Sequence, residues 1–304
     1  MSYEAPMKMP YERFSVVGHD GTRLMVYRLG SGEKRWLLPP GLGTPVICWR
    51  QVAQAFGDKL TIVTWDLRGT FASQAPKDTS RLTVDDHVMD AYAVAGTIGW
   101  LDGKGFVTGG WSLGIETGLE FYRKYTEHVR ALALINGSFE HIFKSALGLP
   151  EADRLISLAV GGASFAAPLM SPASRYLLGR EWMIAFLTTF GLVAKNNDTA
   201  FFAEVLRAFR SLDFAVYFKL MLAANKHSAR DVLPQVKVPT LITAGSADRL
   251  TPLSIAYEMH EIIPTSELFI VPGGTHYTTV EYPELINLKL EQFFRTRVFK
   301  GEWE

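Results

Sequence analysis

The stretch "RFSVVGHDGTRLMVYRLG" alternates apolar and polar positions on both sides of Asp20-Gly21. Period-two alternation marks half-buried strands, and Asp-Gly tolerates the positive φ angles of a tight turn, so the pattern predicts an antiparallel hairpin with His19 in the turn. The pattern then changes. "RWLLPP", "KLTIVTWD", "GFVTGG" and "VRALALIN" are short continuous apolar runs, as expected of strands covered on both faces. Segments of helical period separate them. The clearest is predicted from Val84 to Trp100, with Thr83 as N-cap, Asp86 three residues on, and Val84, Val88, Ala91, Ala95 and Ile98 at spacings of four and three. Asp85, His87 and Asp90 are then expected largely on its solvated side.

Strand and helix alternating in this way predict an α/β fold with a mostly parallel central sheet and helices on both faces, where ligands sit beyond the carboxyl ends of the strands. The rhythm stops after Asn136. From there to Pro234 the sequence shows helical periods but no convincing strand. It resumes in "VPTLITAGSADRLTPLSIAYEMHEII" and "ELFIVPGGTHYTTVEYPELINLKLEQFF". The expected organisation is a core built from residues 1–137 and 235–304, interrupted by an all-helical cap at 138–234.

Composition narrows the class. Of the 304 residues 48% are hydrophobic, and 31 basic side chains balance 31 acidic ones. That balance gives no reason to expect a nucleic-acid partner, which favours a basic excess. The N-terminal "MSYEAPMKMPYERF" lacks the apolar run of a secretory signal, and the single cysteine, Cys48, cannot form an internal disulfide. A cytoplasmic location is therefore expected. The longest uncharged stretch, Leu155 to Ser174, has spanning length, but Gly161, Gly162, Pro168, Pro172 and several serines make it a poor lipid-embedded helix, so no stable membrane insertion is expected. The sequence gives no indication of oligomeric state.

Candidate chemistry lies in "GGWSLGIETGLEF", Gly109 to Phe121. A Gly-x-Ser-x-Gly pentapeptide arises by chance about once in eight to ten chains of this composition, so its context has to carry the argument. Here it joins the predicted strand Phe106–Gly109 to a predicted helix starting at Leu113, the setting of a strained nucleophile elbow. Gly110 and Gly114 keep side chains out of a turn where strand and helix backbones approach closely. A serine hydroxyl needs an imidazole to take its proton and an acid to orient that imidazole. Asp248 follows the strand in "LITAGSADRLTP", and His276 follows the next strand in "LFIVPGGTHYTTVEYP". Each has an ordinary reading, as a helix cap and a loop histidine; together with Ser112 they stand in the order this chemistry uses. Of the other histidines, His141 borders the end of a strand, and His128 and His260 read as helix-end residues. The backbone N–H groups of Leu113 and, from "PPGLGTP", Leu42 are the candidate oxyanion donors.

With these segments in hand, the chain resembles the α/β-hydrolase family over nearly its whole length. The resemblance rests on the opening hairpin, "PPGLGT", "WDLRGTFAS", "GWSLG", "LITAGSADRLTP" and "GGTHYTTVEYPE". It implies a serine nucleophile acting through an acyl intermediate, with Ser112, Asp248 and His276 as catalytic residues and no metal or organic cofactor. Asp66 and Arg68, in "DLRG", have a bracing role by the same resemblance. Members that hydrolyse epoxides or haloalkanes use an aspartate at the Ser112 position. Two departures stand out: Pro40 where the family more often has His before the glycine of the oxyanion loop, and Glu116, where an uncharged residue is more common. Glu116 is expected to face the helix N-terminus or solvent.

Between Leu155 and Ala194 the only charged residues are Arg175, Arg180 and Glu181. Trp111, His141, Phe165, Trp182 and Phe186 are the candidates for lining a substrate pocket, and an apolar small-molecule acyl substrate, a carboxylic ester, is the expectation. The ordinary reading of the aromatic and Met residues is packing within the cap. The same triad also serves C–C bond hydrolases, thioesterases, acyltransferases and cofactor-free haloperoxidases or perhydrolases. A receptor-like binding module with little turnover is the alternative from another class, and it has no need of a proton relay.

Overall fold

The computed structural model describes residues 7–144, 152–177, 181–189, 191–194 and 198–303. Eight strands form one sheet: β1 (Tyr11–Val17), β2 (Arg23–Leu29), β3 (Lys34–Leu37), β4 (Leu60–Trp65), β5 (Phe106–Thr108), β6 (Val129–Ile135), β7 (Thr240–Gly245) and β8 (Ser266–Val271). Their order is β1-β2-β4-β3-β5-β6-β7-β8. β1 and β2 pair antiparallel in the register Tyr11↔Leu29 to Val17↔Arg23, β2 meets β4 antiparallel, and every later pairing is parallel. The predicted hairpin and apolar runs are all found, and Gly21 has the positive φ, +85°, that its turn demands.

The continuous apolar runs are explained by two cores. Along β6, Ala131, Ala133 and Ile135 enter one core, while Leu132 and Leu134 enter the other. Side chains alternate across a strand, so a strand buried on both faces has no polar positions to spare. The first core is completed by α1 (Arg50–Phe56). The second is completed by α2 (Val84–Thr97) and α3 (Leu113–Lys124).

The N-terminus of α2 carries the predicted capping box: the Thr83 hydroxyl accepts from Asp86 N, and the Asp86 carboxylate accepts from Thr83 N. The expected solvated face of α2 needs correction. Asp85 is exposed, but His87 is 1% and Asp90 0% exposed. Asp90 lies under the β1–β2 hairpin, where the buried Arg68 guanidinium donates to it at 2.6 and 2.8 Å. Burial, with the Arg68 charge nearby, pushes His87 down to about 3. His19 also does more than turn the chain: its ring nitrogens lie 3.2 Å from Asp86 and 3.6 Å from Asp90.

Between β6 and β7 the described elements are helical: α4 (Ala152–Leu177), α5 (Glu181–Thr189), α6 (Thr199–Phe209) and α7 (Phe214–Asn225). Asp198 caps α6 by accepting from Phe201 N, and Asp213 caps α7 by accepting from Ala215 N and Val216 N. α4 packs along α7. Phe201, Phe202, Val205 and Leu206 of α6 join the first core. The chain then finishes the sheet with α8 (Leu253–Ile262), the short α9 (Thr278–Glu281) and α10 (Pro283–Phe293). Among the described residues no helix is long and apolar enough to cross a membrane.

Candidate active site

β3 lies between β4 and β5 in the sheet, so the chain leaves β3 toward one side and β5 toward the other. Their carboxyl-end loops part there and leave a crevice. The loop after β3 contains Leu42, and the loop after β5 contains Ser112.

Ser112 has φ +57° and ψ −121°, a backbone conformation that a residue with a side chain holds only when its surroundings impose it. Here they do. Ser112 N donates at 3.1 Å to both Ile135 O and Asn136 O, and Gly114 N donates to Trp111 O to start α3. A Cβ at Gly110 would come within 2.1 Å of Pro39 O. The glycine therefore lets the loops after β3 and β5 pass in contact.

Asp248 follows β7. Its Oδ1 accepts from Leu250 N and Thr251 N, both at 2.9 Å, and its Oδ2 accepts from the Thr251 hydroxyl at 2.8 Å and faces His276 Nδ1 at 2.9 Å. Burial alone would raise this acid. The His276 imidazole and the converging Thr251 donors outweigh it and hold Asp248 below the ordinary carboxylate range. Asp248 binds the loop backbone and the imidazole, but it does not cap α8, whose N-terminus has no side-chain cap.

His276 is 6% exposed. Its backbone carbonyl accepts from the Trp111 indole at 2.9 Å, and the two rings lie 5.6 Å apart. Asn136, with φ +41°, ties the same loop to the end of β6: its Nδ2 donates to Thr275 O at 3.0 Å, and its Oδ1 accepts from the Thr278 hydroxyl at 2.6 Å. Glu281 adds a third tether, accepting from Thr275 N at 2.9 Å and from Ala194 N at 2.8 Å. The sequence reading missed Asn136 and Glu281. For Asn136 a signal existed, an asparagine directly after a strand, where it tolerates the left-handed region.

Ser112, His276, Trp111, Leu42 and Leu113 all line one cavity of about 430 Å³. Its walls otherwise come mainly from Ile142, Phe143, Ile156, Phe209, Tyr217 and Met221, with Leu192, Leu250 and Tyr277 toward the loops of Asp248 and His276. None of these carries a formal charge. Among the described residues, the N–H groups of Leu42 and Leu113 have no acceptor.

Two pocket candidates are placed elsewhere. The His141 ring turns to Asn225 O, 2.9 Å from its Nδ1, and Phe165 is 88% exposed on α4. Neither lines the cavity. An aromatic residue in an apolar helix does not reveal from sequence which side of the helix meets the core. The side chains of Trp182 and Phe186 lie outside the described residues.

Glu116 also departs from expectation. It is 0% exposed, facing neither solvent nor an ion-pair partner, and neither carboxyl oxygen has a protein hydrogen-bond partner among the described residues. Burial, then the nearby Glu120 and Glu140, push it well above the ordinary carboxylate range. Asp66 and Arg68 occupy bracing positions. Asp66 accepts from the Tyr27 hydroxyl at 2.9 Å and from Ala72 N at 3.0 Å, and burial raises it to about 7. Arg68 links Asp90, Asp20 and the Arg81 carbonyl.

Comparison with known proteins agrees with this architecture. The family model described as "alpha/beta hydrolase fold" matches residues 37–283. The serine hydrolase BPHL of Mus musculus is 26% identical over 282 residues, covering 92% of this chain and 85% of its own. Among solved structures, a thermophilic esterase from Thermogutta terrifontis superposes with a TM-score of 0.72 at 21% identity, over 93% of this chain and 98% of its own. The bromoperoxidase from Bacillus anthracis gives 0.73 at 19% identity, over 93% and 99%.

Proposed function

The chain belongs to the α/β hydrolase fold family, and from that premise we propose that it is a serine hydrolase cleaving carboxylic esters with an apolar acyl group. One observation carries this reading: Ser112, at its positive-φ turn, and His276, held by a charged Asp248, open on the same uncharged cavity.

In the proposed cycle the Ser112 hydroxyl attacks the ester carbonyl while His276 Nε2 takes its proton. Asp248 stays ionised. It fixes the imidazole so that Nδ1 carries a proton and Nε2 is free to accept one, and it stabilises the imidazolium that forms. The N–H groups of Leu42 and Leu113 receive the charge that develops on the carbonyl oxygen. His276 then protonates the leaving alkoxide, and water, deprotonated by the same imidazole, releases the acid from the acyl-serine. The cavity walls favour an apolar acyl chain, since a charged one would be desolvated there without a partner.

A fluorophosphonate probe should label the wild-type protein and leave Ser112→Ala unlabelled. Turnover of p-nitrophenyl esters of graded chain length should fall by about 10⁶-fold in that variant, as expected when a triad serine is removed. A folded wild-type protein that neither labels nor turns over any ester of the panel would defeat the proposal.

A further inference from the structure

The cavity is apolar except for a few hydroxyls, and most of its wall opposite the sheet comes from the helices between β6 and β7. The Ser138 hydroxyl donates to Glu140 O at 2.6 Å, and the Thr251 hydroxyl donates to Asp248 at 2.8 Å. The Tyr217 hydroxyl, which opens on the same cavity, has no hydrogen-bond partner among the described residues. Tyr217 is half-buried, so its free phenol is open to a ligand in the cavity that can accept from it.

Its position indicates which ligand atom that is. Tyr217 stands on α7, fixed one turn after the Asp213 cap by its own backbone bond to Asp213 O. Phe209 at the end of α6 packs edge-on against it, with ring centroids 6.2 Å apart. Both rings rest on the loop after β3. At Gly43, where φ is +69°, an added Cβ would lie 3.2 Å from the Tyr217 hydroxyl oxygen and 3.0 Å from Phe209 Cζ. Gly43 directly follows Leu42, whose N–H is a donor in the proposed cycle. The phenol is therefore brought to the oxyanion loop from the opposite side, by a helix that is not part of the sheet.

We propose that the Tyr217 hydroxyl is a third oxyanion donor, hydrogen-bonded to the substrate carbonyl oxygen as it becomes negatively charged. The proposal rests on the serine-hydrolase reading of the same cavity. In the step concerned, the Ser112 oxygen bonds to the carbonyl carbon, the carbonyl π pair moves onto oxygen, and the Ser112 proton passes to His276. The phenol keeps its own proton and only donates a hydrogen bond. Its apolar surroundings push Tyr217 up to about 12, so it remains a donor throughout the neutral range. The arrangement makes the helical segment part of the catalytic apparatus as well as the wall of the pocket. It also selects for substrates whose carbonyl reaches Gly43, with the apolar acyl chain running past Ile156 and Met221.

The test is Tyr217→Phe, which removes one oxygen and preserves the ring packing. With a p-nitrophenyl ester, kcat should fall by on the order of 10²-fold, as when a side-chain oxyanion donor is lost elsewhere, with KM within about threefold. A boronic acid that forms a tetrahedral anion on Ser112 should lose affinity by a similar factor, while an uncharged ketone that occupies the cavity should bind as before. A role in packing alone would not separate these two ligands. Unchanged kcat and boronate affinity in a folded Tyr217→Phe protein, or equal losses for boronate and ketone, would overturn the proposal. Failure of the wild-type protein to label with fluorophosphonate would instead remove the serine-hydrolase reading beneath it.

Discussion

Asp248, in the loop after β7, and Glu116, one turn into α3, are buried to nearly the same degree, 6% and 0% exposed. Their surroundings differ in kind. Asp248 collects two backbone N–H groups, a hydroxyl and an imidazole. Glu116 collects none, and the charges that act on it, those of Glu120 and Glu140, are also acidic. Desolvation acts on both in the same direction, so the donors decide the outcome. The Asp248 loop is built to hold a charge, whereas the surroundings of Glu116 favour the neutral acid.

The two acids consequently push stability in opposite directions with pH. Asp248 is held below its unfolded value, so its contribution is present above the ordinary carboxylate range and is lost as pH falls through the lower folded value. Glu116 is raised, so its contribution is complete below the ordinary range and is lost as pH rises through its folded value.

The largest effect expected from breaking this contrast comes from Asp248→Asn. The amide keeps its acceptor oxygen but lacks the charge and disfavours the required imidazole tautomer, so kcat should drop by about 10⁴-fold with the fold retained. Steady-state ester kinetics beside a circular dichroism spectrum check it.

A third buried acid, Asp90, sharpens the comparison because its partner is a guanidinium. Arg68→Ala should remove both hydrogen bonds from the buried Asp90 and leave it only the His19 ring at 3.6 Å. The loss should be about 3–5 kcal/mol of stability by urea denaturation. A loss below ~1 kcal/mol would mean that the bracing assigned to Arg68 is not needed.

The smallest change is expected for Glu116→Gln, which removes the ionisation and keeps the shape. It should gain about 1–3 kcal/mol over wild type at pH 8, with the difference shrinking toward zero near pH 4. Urea midpoints at the two pH values measure it. An equal difference at both would show that the Glu116 charge plays no part.

The chain announced its architecture wherever local chemistry and tertiary packing agree. The alternating hairpin, the Thr83–Asp86 box and the strands buried on two faces all appear where their patterns put them. So do the positions of Ser112, Asp248 and His276 beyond β5, β7 and β8. The departures share a cause. Asp90, His87 and Glu116 are polar residues on helices, where pattern places them outside, yet each is enclosed by a second element that helical periodicity does not encode. Phe165 is the converse, an aromatic left exposed on α4. Asn136 is tied to Thr275, far along the chain, and no spacing within its own segment reveals that contact.

The strand order also bears on how the protein is made. Ser112 follows β5, but β7 and β8, which precede Asp248 and His276, join the sheet only after the whole helical segment has been synthesised. On the proposed mechanism a nascent chain therefore carries Ser112 through more than a hundred residues of translation before His276, its base, is made. In this reading the reactive centre is armed by the last strands to leave the ribosome, and a truncated product ending before β7 is chemically silent.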